Sequence, residues 1–341
     1  MAETGTARPG PQPRMSGDAM RLAVKVARMY HERHMRQTDI AAELHISQPR
    51  VSRLLKRAEE AGIIVTTVAV PAGVHTDLED EIELLYGLDE VVVVDVGGSE
   101  QDVLAALGAG TAAYLESTLI GDDTVGVASW SATLIAAVDR MRPARGTVVD
   151  AVVQLVGGVG APRVQLQATQ LLGRFAAATG ASPVFVSAPG LLGSASARQA
   201  LMADPTLADV AALWARLTTV IVGIGSLEPS ALLRESGNAL PEADQETLLK
   251  AGAVGDICHR FFDGRGELVE SAVNDRVVGI EPDQLRRVPR RIGVAGGARK
   301  HTAIRAALLG GWINVLITDL DEANRLVEYA RVAVGRDTQA G

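Results

Sequence analysis

The feature that most constrains this chain is a repeated alternation beyond residue 90. Seven short runs rich in Val, Ile and Leu recur: VVVVDV (91–96), TVGVAS (124–129), VVDAVVQLV (148–156), SPVFVSA (182–188), TTVIVGIG (218–225), RRIGVAG (290–296) and INVLITDL (313–320). Helical stretches over 101–119, 132–141, 164–179, 298–309 and 322–334 separate them. Runs that are apolar at nearly every position belong to strands buried on both faces, so the pattern predicts a parallel sheet covered by helices in a Rossmann-like α/β order. Aromatic residues make up only 3% of the 341 residues, so the cores must be built from Val, Leu, Ile and Ala.

In such sheets ligands lie beyond the carboxyl ends of the strands, where loops meet helix starts. Four stretches in those positions carry chemistry. ASWSAT (128–133) offers the hydroxyls of Ser129, Ser131 and Thr133 at a helix start, which suits an anion such as phosphate, although hydroxyls also cap helices for purely structural reasons. The glycine turns GGVG (157–160, containing Gly158), GIGS (223–226) and AGGARK (295–300) match neither the dinucleotide fingerprint nor the P-loop, so no nucleotide cofactor is expected. Lys300 follows one of these turns and suits a phosphate or a sugar hydroxyl; a solvated lysine is the plainer alternative. In GAVGDICHRFFDGRG (252–266), Asp256 has the two-oxygen acceptor that sugar hydroxyls favour. Cys258 and His259 read as neighbours on a strand, pointing to opposite faces, which argues against a thiol enzyme. No cluster with zinc spacing and no nucleophile elbow is present in the sequence.

The first 70 residues read differently. Apolar residues from Met20 to Tyr30 fall at helical spacing, then RQTDIAAELHISQPRVSRLLKRAEEAGII carries two further start signals. Thr38 is read as the N-cap of a short helix from Asp39 to Leu44 and as one of the DNA contacts, and Ser47, with Pro49 behind it, as the N-cap of a second helix that stops at Gly62. Two short helices around a tight turn at 45–47 make a helix-turn-helix, and IIVTTVAV (63–70) predicts a wing strand. With Val51, Leu54, Leu55 and Ala58 turned inward, the second helix displays Gln48, Arg50, Ser52, Arg53, Lys56 and Arg57. Gln and Arg suit base edges in the major groove of double-stranded DNA, and Ser, Lys and Arg suit phosphates. A solvated basic face is the alternative, but it leaves the two caps and the turn unexplained.

Charge agrees with a divided molecule. The net charge is −8, yet residues 19–70 hold nine Lys/Arg against five Asp/Glu, a local +4, which leaves −12 on residues 71–341 because 1–18 balance. The expected organisation is a tail (1–17), a winged helix-turn-helix (18–70), a linker helix (71–89), an effector domain (90–335) and a flexible end (336–341). A single cysteine, no apolar run long enough for a membrane span, and a Pro/Gly-rich start without an apolar segment point to a cytoplasmic protein.

Taken together, the strings QTDIAAELHISQPRVSRLLKRAEEAGII, VGVASWSATL, VVQLVGGVG, VIVGIGS, GAVGDICHRFFD and VAGGARKHTAIRAALLGGWINVLITDLDEA, in that order over about 20–335, resemble the SorC family of bacterial sugar-responsive transcriptional regulators. The resemblance implies a winged helix-turn-helix on operator DNA and a large Rossmann-like domain similar in fold to sugar-phosphate isomerases and deaminases but used for binding. It implies homo-oligomers, dimers or tetramers. It also places a phosphate at the Ser129–Thr133 loop with Trp130 in it, and a sugar at Asp256 and Lys300. One departure stands out: relatives commonly carry glycine where this chain has Ser131, which leaves open a narrower phosphate loop or an unphosphorylated ligand. A sugar-phosphate isomerase or deaminase with an accessory head is the alternative from another class; Asp256 is its one nameable general base.

Overall fold

The computed structural model describes residues 17–64, 73–128, 131–144, 146–158, 162–227 and 240–337. The chain divides into two units, Met1–Ala69 and Val70–Gly341.

In the first unit, helices α1 (Gly17–His31), α2 (Gln37–Glu43) and α3 (Gln48–Glu60) pack around one small core. Val26, Met29, Ile40, Val51, Leu55 and Ala58 fill it. The turn between α2 and α3 follows from how α2 ends. His45 takes a left-handed backbone (φ 52), its N–H bonds the Ala42 carbonyl (3.3 Å), and the Ile46 N–H bonds the Ala41 carbonyl (3.0 Å). That Schellman arrangement reverses the chain in three residues and turns Ile46 onto the core. Gly62 (φ 67) ends α3 by the same bonding, from its own N–H to Glu59 and from Ile63 to Ala58. Ser47 is the N-cap of α3 through its backbone only, with no side-chain bond. The reading of Thr38 as an N-cap is corrected. The N-cap of α2 is Arg36, so Thr38 lies one residue inside the first turn, because the corner through left-handed His34 (φ 53) brings the chain to the helix earlier than the threonine. Most of the expected wing, 65–70, lies outside the described residues.

The second unit opens with α4 (Thr76–Tyr86), ended by Gly87 in the left-handed region (φ 66). The chain then runs β1 (Glu90–Val94), α5 (Glu100–Thr118), β2 (Thr124–Val127), α6 (Ala132–Val138), β3 (Ala151–Gln154), α7 (Pro162–Thr179) and β4 (Ser182–Val184). After α8 (Ala195–Met202) and α9 (Pro205–Trp214) come β5 (Thr219–Gly223), β6 (Gly225–Ser226), α10 (Glu242–Lys250), β7 (Ala253–Ile257) and β8 (Arg260–Asp263). The last elements are α11 (Pro282–Arg287), β9 (Arg290–Val294), α12 (His301–Leu309), β10 (Val315–Asp319) and α13 (Leu320–Asp337).

All seven expected strands are present and every pairing among them is parallel, in the order β1-β10-β9-β5-β2-β3-β4. From β2 the chain winds outward through β3 to β4; from β5 it winds the other way through β9 and β10. The neighbours β2 and β5 therefore flank the point where the winding reverses, and their carboxyl ends open a crevice there. A second, antiparallel sheet of three strands, β6-β7-β8, was not expected. It stands over that crevice, because β6 begins one residue after β5 ends.

Both margins of the large sheet are poor templates for a further strand. At β1, the outward N–H groups of Val91 and Val93 are accepted by Glu83 and Glu79 of α4, each at 2.8 Å. At the other margin β4 is three residues long and carries Pro183, which has no N–H to offer.

Between α12 and α13 lies a buried acid. Glu322, fully buried, shares a 2.9 Å hydrogen bond with His301 Nδ1. Burial, with Asp319 beside it, pushes the Glu322 carboxyl up to about 8, and burial with Arg305 and Arg325 nearby holds His301 below its usual value. Near neutrality the pair is therefore a carboxylic acid facing a neutral imidazole. Its effect on stability has a definite sign: a carboxyl that holds its proton better in the folded chain stabilises fully below its ordinary pKa near 4.5 and loses that contribution as pH rises to about 8. His301, lowered on folding, adds stability as pH rises through about 6.5. Between pH 6.5 and 8 the Glu322 loss stands alone. Glu322→Gln, which keeps the shape without the charge, is expected to gain Tm over the parent progressively across that window, as read by thermal melts at several pH values; a pH-independent difference would refute the assignment.

Candidate functional site

Every residue proposed to read DNA, namely Gln48, Arg50, Ser52, Arg53, Lys56 and Arg57, lies exposed on the outer face of α3, and Thr38 is exposed on α2. The four inward residues, Val51, Leu54, Leu55 and Ala58, are buried. The face is flat in polarity along the helix because the apolar positions recur at three- and four-residue steps, leaving one side without a single aliphatic residue.

In the larger unit a cavity of about 580 Å³ opens at the carboxyl ends of the parallel strands. It is lined by the segments that follow β2, β5, β9 and β10, by the start of α5, and by the β7–β8 hairpin. Ser131, Thr133, Asp256 and Lys300 all line it, although they are spread over 170 residues of sequence. Ser129 and Trp130 lie outside the described residues. Gly158 is not among the residues that line the cavity; its N–H donates to the Ala188 carbonyl (3.0 Å) and its carbonyl accepts the Gly190 N–H (2.6 Å), a crossing of two loops.

Ser131 is the N-cap of α6, accepting the Leu134 N–H at 3.3 Å. Its hydroxyl also crowds β5: a Cβ at Gly223 would stand 2.9 Å from it, so glycine there accommodates the serine. Asp256 sits in β7 opposite Gly225 of β6, and a Cβ on Gly225 would collide with its carboxylate. One Asp256 oxygen accepts the His259 N–H at 3.1 Å. Cys258 and His259 are corrected from strand neighbours to the two central residues of the β7–β8 turn, both with positive φ (53 and 59), the geometry of a tight type I′ hairpin. Burial raises the Cys258 thiol well above its usual range, with Asp256 adding to it, so it holds its proton. The same burial lowers His259, against the pull of Asp256.

Lys300 reaches across the crevice and donates to the Ile224 carbonyl at 2.8 Å. Burial, reinforced by neighbouring Arg299, brings its ammonium down to about 8, while Asp256 and Glu100 oppose that fall. Its carrier loop begins at Gly297 (φ 86) and passes through a short 3₁₀ turn, Ala298–Lys300. Arg299 donates to Ser226 and to Glu100, each at 2.9 Å, and so joins β6 to the start of α5. Arg299, Glu100, Asp319 and Arg325 also line the cavity and were not singled out in the sequence, and His259, which lines it too, was weighed there only as half of a thiol pair. For Asp319 a signal existed, a carboxylate next to the end of a predicted strand run; for Glu100 none did. Such a cavity presents carboxylates for hydroxyl groups and cations for an anion within one space, and that mixture is what a phosphorylated or acidic polyol requires.

Comparison with known proteins fits this geometry. The family model described as “Putative sugar-binding domain” matches residues 71–328, and the model “Winged helix-turn-helix DNA-binding” matches residues 30–65. The “Deoxyribonucleoside regulator” of Bacillus subtilis is 35% identical over 318 residues, covering 92% of this chain and 99% of its own length. The “Sorbitol operon regulator” of Klebsiella pneumoniae is 32% identical over 319 residues, covering 92% and 99%. The crystal structure of the full-length sorbitol operon regulator SorC from Klebsiella pneumoniae superposes with a TM-score of 0.68 at 29% identity, over 91% of this chain and 100% of that one. With a helix-turn-helix in one unit and a sugar-binding α/β domain in the other, the chain belongs to the SorC family of sugar-responsive transcriptional regulators.

Proposed function

We propose that α3 reads operator DNA through Gln48, Arg50 and Arg53, that Ser52, Lys56 and Arg57 hold phosphates, and that a sugar phosphate in the cavity sets the strength or geometry of that binding. The observation that carries the effector half is the meeting of Asp256 and Lys300 in one cavity at the reversal of the sheet's winding. Asp256 would take a pair of sugar hydroxyls and Lys300 the phosphate or a further hydroxyl, with Thr133 on the opposite wall. Ser131 accepts the Leu134 N–H in the α6 cap, which leaves its O–H free to donate to the ligand from that wall. Sites of a few hundred Å³ with a few convergent polar groups are the usual size for a small ligand.

The domain is used here for binding and not for turnover. In support, the relatives are named regulators, and Asp256, the nameable general base, is engaged by the His259 N–H. The protein works as a homo-oligomer that pairs DNA sites, and in the cytoplasm; among the described residues no helix is long and apolar enough to cross a membrane.

Three outcomes follow. Arg50→Ala and Arg53→Ala should each weaken specific operator binding by about 1–3 kcal/mol if the arginine reads a base, measured by gel shift; unchanged footprints for both would show that the reading face is elsewhere. In thermal-shift screening, pentose and hexose phosphates should raise Tm while ribose 5-phosphate and glucosamine 6-phosphate remain chemically unchanged on incubation; conversion of either would favour the enzyme reading. Asp256→Asn and Lys300→Met should lose that thermal shift and the effector's influence on the gel shift, yet bind operator as the parent does. Loss of operator binding in both variants without any sugar present would count against the division of labour.

A further inference from the structure

Asp319 ends β10 at the floor of the cavity, 1% exposed, and both of its oxygens are spent on backbone. Oδ2 accepts the Gly297 N–H at 2.6 Å; Oδ1 accepts the Glu322 N–H at 3.1 Å and so caps the first turn of α13. A short bond from an amide to a buried carboxylate is among the stronger ones a loop can have. Its place is guarded sterically as well: a Cβ at Gly296 would collide with the Asp319 carboxylate. Gly297 is the first residue of the loop that carries Arg299 and Lys300, and those two cations span to Ile224 and Ser226 on the β5–β6 segment and to Glu100 at the start of α5.

We propose that Asp319 is a positioning residue of the effector site: through the Gly297 N–H it fixes the loop from which Lys300 and Arg299 enter the cavity, and it anchors that loop and α13 to one strand end. The proposal rests on the effector reading above. It differs from a direct ligand role, in which the carboxylate would bond the sugar itself and leave the unliganded loop unaffected. The arrangement also explains why two glycines stand together at 296 and 297: the first leaves room for the carboxylate, and the second takes the left-handed turn (φ 86) that aims its N–H at it.

Hydrogen exchange on the full chain without any added sugar reads the loop directly. Asp319→Asn supplies one acceptor oxygen and an NH2 group where a second amide points. Its 297–301 amides should exchange at least tenfold faster than in the parent, with β10 and the body of α13 unchanged. Gly296→Ala, which displaces the carboxylate without removing it, should reproduce the effect if Asp319→Asn proves too unstable to purify. In gel shifts both variants should bind operator within twofold of the parent, and should need at least tenfold more ribose 5-phosphate or glucosamine 6-phosphate, whichever the parent answers to, for the same change. Unchanged exchange at 297–301 overturns the proposal, and so does acceleration spread over β10 and beyond the first turn of α13, which marks a role in the fold alone. If the parent answers to neither sugar phosphate, the effector reading loses its support, while the exchange result still decides whether Asp319 holds the loop.

Discussion

A parallel sheet cannot leave either face in water, and most of the larger unit follows from that constraint. The central strands are apolar at nearly every position, so helices must cover both sides, and all connecting loops are forced to the two ends. The reversal of winding between β2 and β5 then splays the helices apart at the carboxyl end. What gathers there is not set by closeness in sequence. Thr133, Asp256, Lys300 and Asp319 meet because each follows a strand end or hangs over one from the small sheet.

The parts of this architecture legible in the sequence are those whose signals are local. The seven strands were readable because burial on both faces leaves unbroken Val/Ile runs, and α3 because Ser47, Pro49 and Gly62 mark its ends while Val51, Leu54, Leu55 and Ala58 mark its face. The three-stranded sheet was not readable. Its first strand has two residues, its partner lies some 30 residues on, and the β7–β8 turn is made by Cys258 and His259, side chains that seldom adopt positive φ and so give no turn signal. Thr38 failed for the opposite reason: a good local preference was overruled by the left-handed corner at His34. Site residues followed the same division, since Lys300 advertised itself by its glycine turn, whereas Glu100 enters the cavity only because Arg299 reaches to it.

The site's electrostatics are a balance and not a surplus. Lys300 is weakened as a cation by burial and by Arg299, and held up by Asp256 and Glu100. A bound anion would remove part of that penalty, since opposite charge near an ammonium favours its protonated form. Binding of an anion there would be linked to proton uptake at Lys300, and burial makes the neighbouring Glu322–His301 pair sensitive to pH.

The margins of the sheet bear on how copies of the chain can associate. Glu79 and Glu83 occupy the amides of Val91 and Val93 that a foreign strand would need, and at the far side Pro183 withholds a donor. A neighbouring molecule cannot pair with β1 without first displacing two carboxylates from the backbone, so growth by strand addition, the route to open-ended fibres, is opposed at that margin and weakened at the β4 margin. Any association of copies would then have to use helix faces and loops rather than the margins of this sheet.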